Sequence, residues 1–146
     1  MVNESRIDIY DYLYNLLFGV VSENVYDMQP PTELTESDTK DGFIVIHVGG
    51  MVDESEFDLQ AYGRVRCYIE AFVPPISRGR MNHDIYALME NGINTLIDEQ
   101  SENRDGAYYI EKDSVISMDD DESSTADNTY FTFIKSFIVV IDNQEE

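Results

Sequence analysis

The chain has 146 residues and a formal net charge of −21, with 30 Asp and Glu against nine Lys and Arg. Such a charge disfavours nucleic acid and anionic membranes as ligands, because binding to either depends on Lys and Arg. A hydrophobic fraction of 42%, with 10 Tyr and 7 Phe, excludes general disorder, and the length fits a single domain over residues 1–146.

The single cysteine and the start of the chain indicate the compartment. Cys67 cannot form a disulfide within the chain, which favours a reducing environment. The first six residues lack the basic start and apolar core of a signal peptide, and no apolar run reaches the roughly 18 residues of a membrane span. We therefore expect a soluble protein made inside a cell, with no membrane partner.

The first predicted element is a helix over residues 5–18. Ser5 and Asp8 have the spacing of a capping box, and Gly19 is a suitable residue to end the helix. Apolar residues recur from Ile9 to Val20 at the spacing of one helix face: Ile9, Tyr10, Leu13, Leu16, Leu17 and Val20.

Two strands are predicted in the middle of the chain, after a short extended segment at residues 24–27. Residues 42–48 are continuously apolar, which predicts a strand covered on both faces or against a neighbouring subunit, ended by Gly49 and Gly50. Residues 61–73 alternate strictly, so one face should be buried and the other half-solvated. The buried face would carry Gly63, Val65, Cys67, Ile69, Ala71 and Val73, and the other face Tyr62, Arg64, Arg66, Tyr68, Glu70 and Phe72.

The second half of the chain predicts a helix and a long closing strand. Asn82 is a good N-cap for a helix over residues 82–98, and Gly92 within it predicts close packing against the sheet. Residues 107–110 and 115–118 are predicted as two short strands or one bulged strand. The closing strand covers residues 129–141. The apolar stripe of the helix consists of Ile85, Leu88, Met89, Ile93, Leu96 and Ile97.

Three acidic segments, near residues 32–41, 51–60 and 119–128, show no periodicity and are predicted to be loops. Strands that follow one another through loops, with helices that do not alternate with them, favour an α+β fold. We expect a mostly antiparallel sheet with two helices packed on one face.

The sequence assigns no catalytic, cofactor-binding or metal-binding residues. His47 and His83 have no Cys, His or carboxylate at metal-ligand spacing, and Cys67 falls on the apolar face of its strand, where a thiol is inert. The acidic run at residues 119–122 lacks the alternation and central glycine of a calcium-binding loop. We expect a protein without cofactor or metal that is not an enzyme.

Basic residues in an acidic chain, and apolar residues in an acidic loop, are the candidate contact residues. Four arginines lie on one predicted strand and in the loop after it, where they are either ordinary surface residues or contacts with acids of another subunit. Three apolar residues near 51–60 either are isolated surface residues or mark a contact that forms on assembly. The candidates are Arg64, Arg66, Arg78, Arg80, Met51, Phe57 and Leu59.

The elements form a recognisable order: an opening helix (residues 6–18), Val25-Tyr26 before Pro30-Pro31, strands at 42–48 and 61–74, a helix at 82–98 and a closing strand at 130–141. In this order and in length the chain resembles the tail-terminator, or tail-completion, proteins of long-tailed bacteriophages. The resemblance rests on pattern and covers most of the chain.

The resemblance implies a structural virion protein, made in the host cytoplasm, that forms a ring, commonly a hexamer. The ring would close the tail tube and join it to the head, with tube and neck proteins as partners. The candidate arginines would make inter-subunit or neck contacts, residues 51–59 would touch the tube, and DNA would pass through without specific binding. The alternative is a monomeric acidic protein that mimics DNA or serves as a protein-interaction module.

Overall fold

The computed structural model describes residues 2–51, 62–77, 79–103, 106–112, 118–124 and 129–142. The helices in these ranges are α1 (Val2–Leu17), α2 (Glu36–Asp41) and α3 (His83–Glu102). The strands are β1 (Val25–Asp27), β2 (Phe43–Met51), β3 (Tyr62–Val73), β4 (Pro75–Ser77), β5 (Arg80–Met81), β6 (Tyr108–Lys112), β7 (Met118–Ser124) and β8 (Thr129–Asp142).

One six-stranded sheet organises these elements. Its order is β1-β2-β3-β8-β6, and β7 also pairs with β8. Strand β6 pairs with the C-terminal half of β8 and β7 with the N-terminal half, so the two follow each other along the β8 edge that faces away from β3. Only β1 and β2 are parallel, while β4 and β5 form a separate hairpin. The predicted α+β class with a mostly antiparallel sheet is confirmed.

The strict alternation of β3 produces the predicted buried face. Val65, Cys67, Ile69 and Ala71 are at most 4% exposed. They belong to one hydrophobic cluster that includes side chains of both long helices as well as of β2 and β8. Each fully buried aliphatic or aromatic side chain of this kind stabilises the fold by about 1.5–3 kcal/mol. The members from the helices are Ile9, Leu13, Leu17, Met89, Ile93, Leu96 and Ile97.

The opposite face of the sheet is covered at one end. Phe43 stacks on Phe72 with ring centroids 4.5 Å apart, and both pack with Val45 and Tyr130. Leu34, just before α2, packs against this second cluster. Strand β2 is therefore buried on both faces from Phe43 to Ile46, as its continuous apolar sequence predicts.

The first acidic segment is not a simple loop. Residues 36–41 form α2, and Thr35 caps it: the Thr35 side chain accepts from the Asp38 backbone N–H, while the Asp38 carboxylate accepts from the Thr35 backbone N–H. Asp38 is completely buried and also accepts from the hydroxyl of Tyr26 at 2.8 Å. The helix forms because Asp38, which completes the cap with Thr35, is also hydrogen-bonded to Tyr26 of β1. A scan for apolar periodicity does not detect such a cap.

The third acidic segment is also not a loop over its whole length. Residues 118–124 form β7, paired with residues 129–134 of β8. Strand β6 covers only the other half of β8, so β7 satisfies backbone groups of β8 that would otherwise be open. Of the second predicted short strand, residues 115–117 lie outside the described residues, and residue 118 is the first residue of β7.

Glycines mark two further differences from the sequence prediction. Strand β2 does not end at Gly49 but continues to Met51 through a register irregularity after Val48. A Cβ at Gly49 would come within 2.7 Å of the Arg66 carbonyl oxygen, so glycine is required by close strand approach. Gly92 packs against Val21 in the turn after α1, where a Cβ would meet Cγ2 at 3.0 Å, and not against the sheet.

The helix boundaries differ from the predicted ones mainly at the ends. Helix α1 begins at Val2, so Ser5 lies inside it and is not its N-cap. Helix α3 has the predicted N-cap, since the Asn82 side chain accepts from the Ile85 N–H, but it continues to Glu102. Leu88 is 61% exposed and does not belong to the buried stripe of α3. No helix in the described ranges is both long and apolar enough to span a bilayer.

Candidate functional site

Two of the predicted contact arginines lie on the half-solvated face of β3. Arg64 and Arg66 alternate with buried Val65 and Cys67, so both side chains project from the sheet face opposite the main core. Arg66 is exposed and Arg64 is half-buried. Strand β3 thus places both arginines on one face, as the alternation predicts.

Arg64 has an acidic partner within the same chain. Its Nη2 and Nε donate to Oε1 of Glu111 on β6 at 2.7 and 3.2 Å. Because β3 and β6 flank β8, this ion pair passes over β8, where Ile138 and Val140 are nearly buried. The pair therefore ties three strands together and covers apolar surface with the stem of Arg64. Arg64 is a structural residue in the isolated chain.

A double-mutant cycle on Arg64→Ala and Glu111→Gln is expected to give a coupling of about 1 kcal/mol in urea unfolding, because each side chain is only 30% exposed and the geometry is charge-assisted. The pair of Lys112 and Asp98 is a matched control, with the same 2.7 Å separation but side chains 63% and 57% exposed. Its coupling should be close to zero, and equal couplings for the two pairs would contradict the role given to burial.

Beside the arginines, His47 and Tyr68 form a stacked pair on the same face. Their ring centroids are 4.3 Å apart with an interplanar angle of 11°, and Nε2 of His47 lies 3.2 Å from Oε1 of Glu70. This is the satisfied sheet histidine that the sequence favoured over a metal ligand. Among the residues that the structure describes, no group of three His, Cys, Asp or Glu could hold a metal ion.

The loop after β3 is a projecting hairpin made of β4 and β5. Ile76 on β4 is 62% exposed, and Arg80 on β5 is exposed as well. No residue in the described ranges forms an ion pair or hydrogen bond with the Arg80 side chain, although the chain carries 30 acidic residues. The hairpin thus presents an apolar side chain and a cation that are both available for a partner.

A groove of about 560 Å³ runs along this hairpin. Its apolar lining comes from Ile76, Met81 and Phe131, and its polar rim includes Arg80 and His83 at the start of α3. Phe131 belongs to β8, so the groove lies where the hairpin meets that strand. The rim also includes exposed Asp84, so it carries both signs of charge. The apolar floor beside Arg80 suits a partner that presents an apolar side chain next to a carboxylate.

Sequence reasoning missed a second surface, an aromatic ladder on α1. Tyr10, Tyr14 and Phe18 follow one another at intervals of four residues, with ring centroids 5.8 and 5.2 Å apart. Tyr10 and Tyr14 are half-buried and pack against the main core, whereas Phe18 is 45% exposed. The sequence placed Tyr10 on the core-facing side, which agrees with this packing, but it did not single out Tyr14 and Phe18.

Tyr12 lies on the other flank of α1. Its ring stacks on Tyr108 at 5.1 Å, and its hydroxyl donates to Oε1 of Gln100 at 2.6 Å. Burial raises the pKa of Tyr12 above its ordinary value near 10. Tyr12 therefore joins α1 to α3 and β6. The side of α1 that carries Tyr12 faces these two elements, and the ladder lies on the other side of the helix.

Alkaline pH should lower the unfolding free energy of the wild-type protein more steeply than that of the Tyr12→Phe variant. The native state keeps a proton on Tyr12 that the unfolded chain releases near pH 10, so this stabilisation is complete below pH 10 and is lost as pH rises further. Tyr12→Phe costs about 1 kcal/mol at pH 7, through the lost hydrogen bond, but gives a shallower fall in unfolding free energy above pH 10. Urea titrations at several pH values measure this, and parallel curves would contradict it.

The remaining predicted contact residues lie at or beyond the limits of the structure. Arg78, Phe57 and Leu59 fall outside the described residues, and Met51 is the last residue of β2. The structure thus brings Arg64 and Arg66 together on one sheet face and places Arg80 apart from them on the hairpin.

The sequence matches no model of a known protein family, and it matches no curated protein. The function is therefore inferred from the surfaces described above.

Proposed function

We propose that this chain is a structural virion protein that forms a ring, closes the tail tube of a long-tailed bacteriophage and joins it to the head. The protein acts by assembly, without catalysis or a cofactor. Its partners are further copies of itself and the tube and neck proteins on either side of the ring. It is made in the host cytoplasm and ends in the virion.

The observation that carries the assembly function is the hairpin. Arg80 has no acidic partner in the described chain, and Ile76 beside it is 62% exposed. Exposing a large apolar side chain next to an unpaired guanidinium offers an isolated chain no stability, whereas both groups are suited to a protein interface. A guanidinium also gives directional contacts with carboxylates.

The phage context is supported by the order of elements. An opening helix, a short strand, two central strands, a long helix and a long closing strand follow one another as in the tail-terminator pattern. Helix α2, the hairpin between β3 and α3, and strands β6 and β7 lie outside that pattern. The phage assignment depends on this pattern alone.

The acidic excess fits a channel for DNA. A ring of copies, each with a formal charge of −21, repels the phosphate backbone, so DNA can move past its inner wall without adhering. Arg64, which would attract phosphate if it were free, is neutralised by Glu111.

The proposal is tested by measuring the mass of the purified chain with light scattering and imaging it by negative-stain microscopy. We expect closed rings with a central opening, which cap one end of tubes assembled from the tail-tube protein of the same phage. A strict monomer at the highest soluble concentration would contradict the proposal. If that monomer also displaced DNA from a basic protein in a salt-sensitive way, the DNA-mimic alternative would replace it.

A further inference from the structure

Among the residues that the structure describes, the exposed apolar side chains are unevenly distributed. Most of the large apolar side chains with more than a third of their surface exposed lie on α1, in the turn after it, or just after β1. Hairpin β4–β5 and helix α3 contribute one each. The set consists of Ile7, Phe18, Val20, Met28, Ile76 and Leu88.

The first group lies around the aromatic ladder. Ile7 precedes Tyr10 by three residues, so it extends the ladder of Tyr10, Tyr14 and Phe18 by a further turn on the same helix face. The opposite flank of α1 is occupied by Tyr12, which contacts β6 and α3. On this face Ile7 and Phe18 are 61% and 45% exposed, whereas Tyr10 and Tyr14 are half-buried against the main core. The ladder therefore has an exposed outer surface, mainly at its two ends.

The ladder borders an open edge of the sheet. Strand β1 pairs only with β2 in the described structure, so its other side has no neighbouring strand. Helix α1 contacts β1, and Asp27 at the end of β1 is exposed. Asp11 is also exposed on α1 next to the ladder. This side of the molecule is thus apolar and aromatic with an acidic border.

The hairpin offers the complementary chemistry. Ile76 supplies an exposed aliphatic side chain, and Arg80 supplies a cation without a partner in the described chain. The hairpin groove reaches Phe131 of β8, and β2 and β3 lie between β8 and β1 in the sheet. The two surfaces therefore cannot meet within one copy, but they can meet between copies.

We propose that the β4–β5 hairpin of one copy docks on the α1 ladder and β1 edge of the next copy, with Ile76 against the aromatic rings and Arg80 paired with Asp27. The occupant is a second copy, because each chain carries both complementary surfaces. The hairpin presents an apolar side chain and a cation, and the α1 and β1 surface presents aromatic rings and a carboxylate. A contact between two different surfaces of identical copies is heterologous, and repetition of it produces a ring or a filament. This inference depends on the proposed ring and names the contact that builds it.

Two reversed-charge variants test the contact. Arg80→Glu and Asp27→Arg should each raise the dissociation constant for assembly at least about tenfold, because each places like charges opposite one another. An equimolar mixture of the two should assemble again, since every contact then joins either Arg80 to Asp27 or Glu to Arg. Mass photometry of each variant and of the mixture measures this. Lys40→Glu, another exposed cation without a described partner, is the control and should assemble like wild type.

The apolar half of the contact has its own matched pair. Ile76→Ser should weaken assembly, whereas Leu88→Ser on α3 should not, although the two side chains are 62% and 61% exposed. Circular dichroism confirms that each variant is folded.

The outcomes separate the contact from the ring. A wild-type ring that survives Arg80→Glu and Ile76→Ser overturns the hairpin contact and leaves the proposed function standing. Two defective variants that do not rescue each other overturn the pairing of Arg80 with Asp27. A wild-type chain that remains a monomer overturns both the contact and the ring.

Discussion

Gly42→Ala is expected to destabilise the protein by about 3 kcal/mol or more, the largest loss expected from a single methyl group in this chain. Gly42 ends α2 and begins the approach to β2 with φ 83° and ψ 179°, a backbone conformation that is essentially confined to glycine. A Cβ there would lie 2.5 Å from the Phe72 carbonyl oxygen and 3.0 Å from atoms of Met89 and Pro74. The alanine variant would have to move β2 away from β3.

Gly19→Ala is the matched control for this prediction. Gly19 has nearly the same φ, 81°, but a Cβ at this position would meet no atom within 4 Å. It should therefore cost only the backbone strain of about 1–2 kcal/mol. Urea unfolding of the two variants separates strain from steric overlap, and equal losses would mean that β2 and β3 tolerate the extra methyl group.

Asp38→Ala is expected to cost about 2–4 kcal/mol of unfolding free energy. The loss has two sources. The reciprocal cap with Thr35 contributes about 0.5–2 kcal/mol. The Tyr26 hydroxyl would also be left without an acceptor, which costs about 1–3 kcal/mol. Asp38 is fully buried, and its carboxylate accepts from the Thr35 N–H at 2.9 Å and from the Tyr26 hydroxyl at 2.8 Å. Thermal or urea unfolding measures the loss.

The double variant Asp38→Ala/Tyr26→Phe measures how much of this loss comes from the Tyr26 hydroxyl that is left without an acceptor. Removing both partners of a buried hydrogen bond leaves no orphaned group, so the double variant should be less destabilised than the sum of the two single variants. The Tyr26 hydroxyl is held here strongly enough that burial and the bond to Asp38 raise its pKa to about 12. Strict additivity of the two losses would show that Tyr26 and Asp38 are not coupled.

These two predictions concern the segment that sequence patterning described least well. Residues 32–41 have no apolar periodicity, and α2 is too short to be stable by itself. Its stability comes from Asp38, whose buried position depends on Tyr26 of a different element. A local pattern cannot reveal a partner twelve residues away, so the helix could not be predicted from propensity.

Strand β7 was missed for a related reason. Asp, Glu and Ser are depleted in strands, so the sequence predicts a loop at residues 119–124. Strand β8 has 14 residues, and β6 pairs with only five of them, which leaves a long row of open backbone groups. Backbone hydrogen bonding to that row is independent of side-chain type.

The contact surfaces were predictable only in part. The sequence singled out Arg64 and Arg80 equally, as basic residues in an acidic chain. Only the structure distinguishes them, because Glu111 comes to Arg64 across β8, whereas no described residue comes to Arg80. The ladder of Tyr10, Tyr14 and Phe18 has a helical spacing that favours a packed face. Only the contact of Tyr12 with Tyr108 shows that β6 covers the other flank of α1.

The sequence by itself determined the charge of −21, the alternation of β3, the N-cap of α3 and the α+β class. These features depend on composition or on residues close together in the chain, where periodicity and capping chemistry act directly. Tertiary structure alone decided that acidic residues 36–41 and 118–124 are ordered elements and that Arg64 is neutralised, whereas no described residue pairs with Arg80. Each of these depends on hydrogen bonds or charges supplied by elements distant in sequence, whose positions only the folded chain defines.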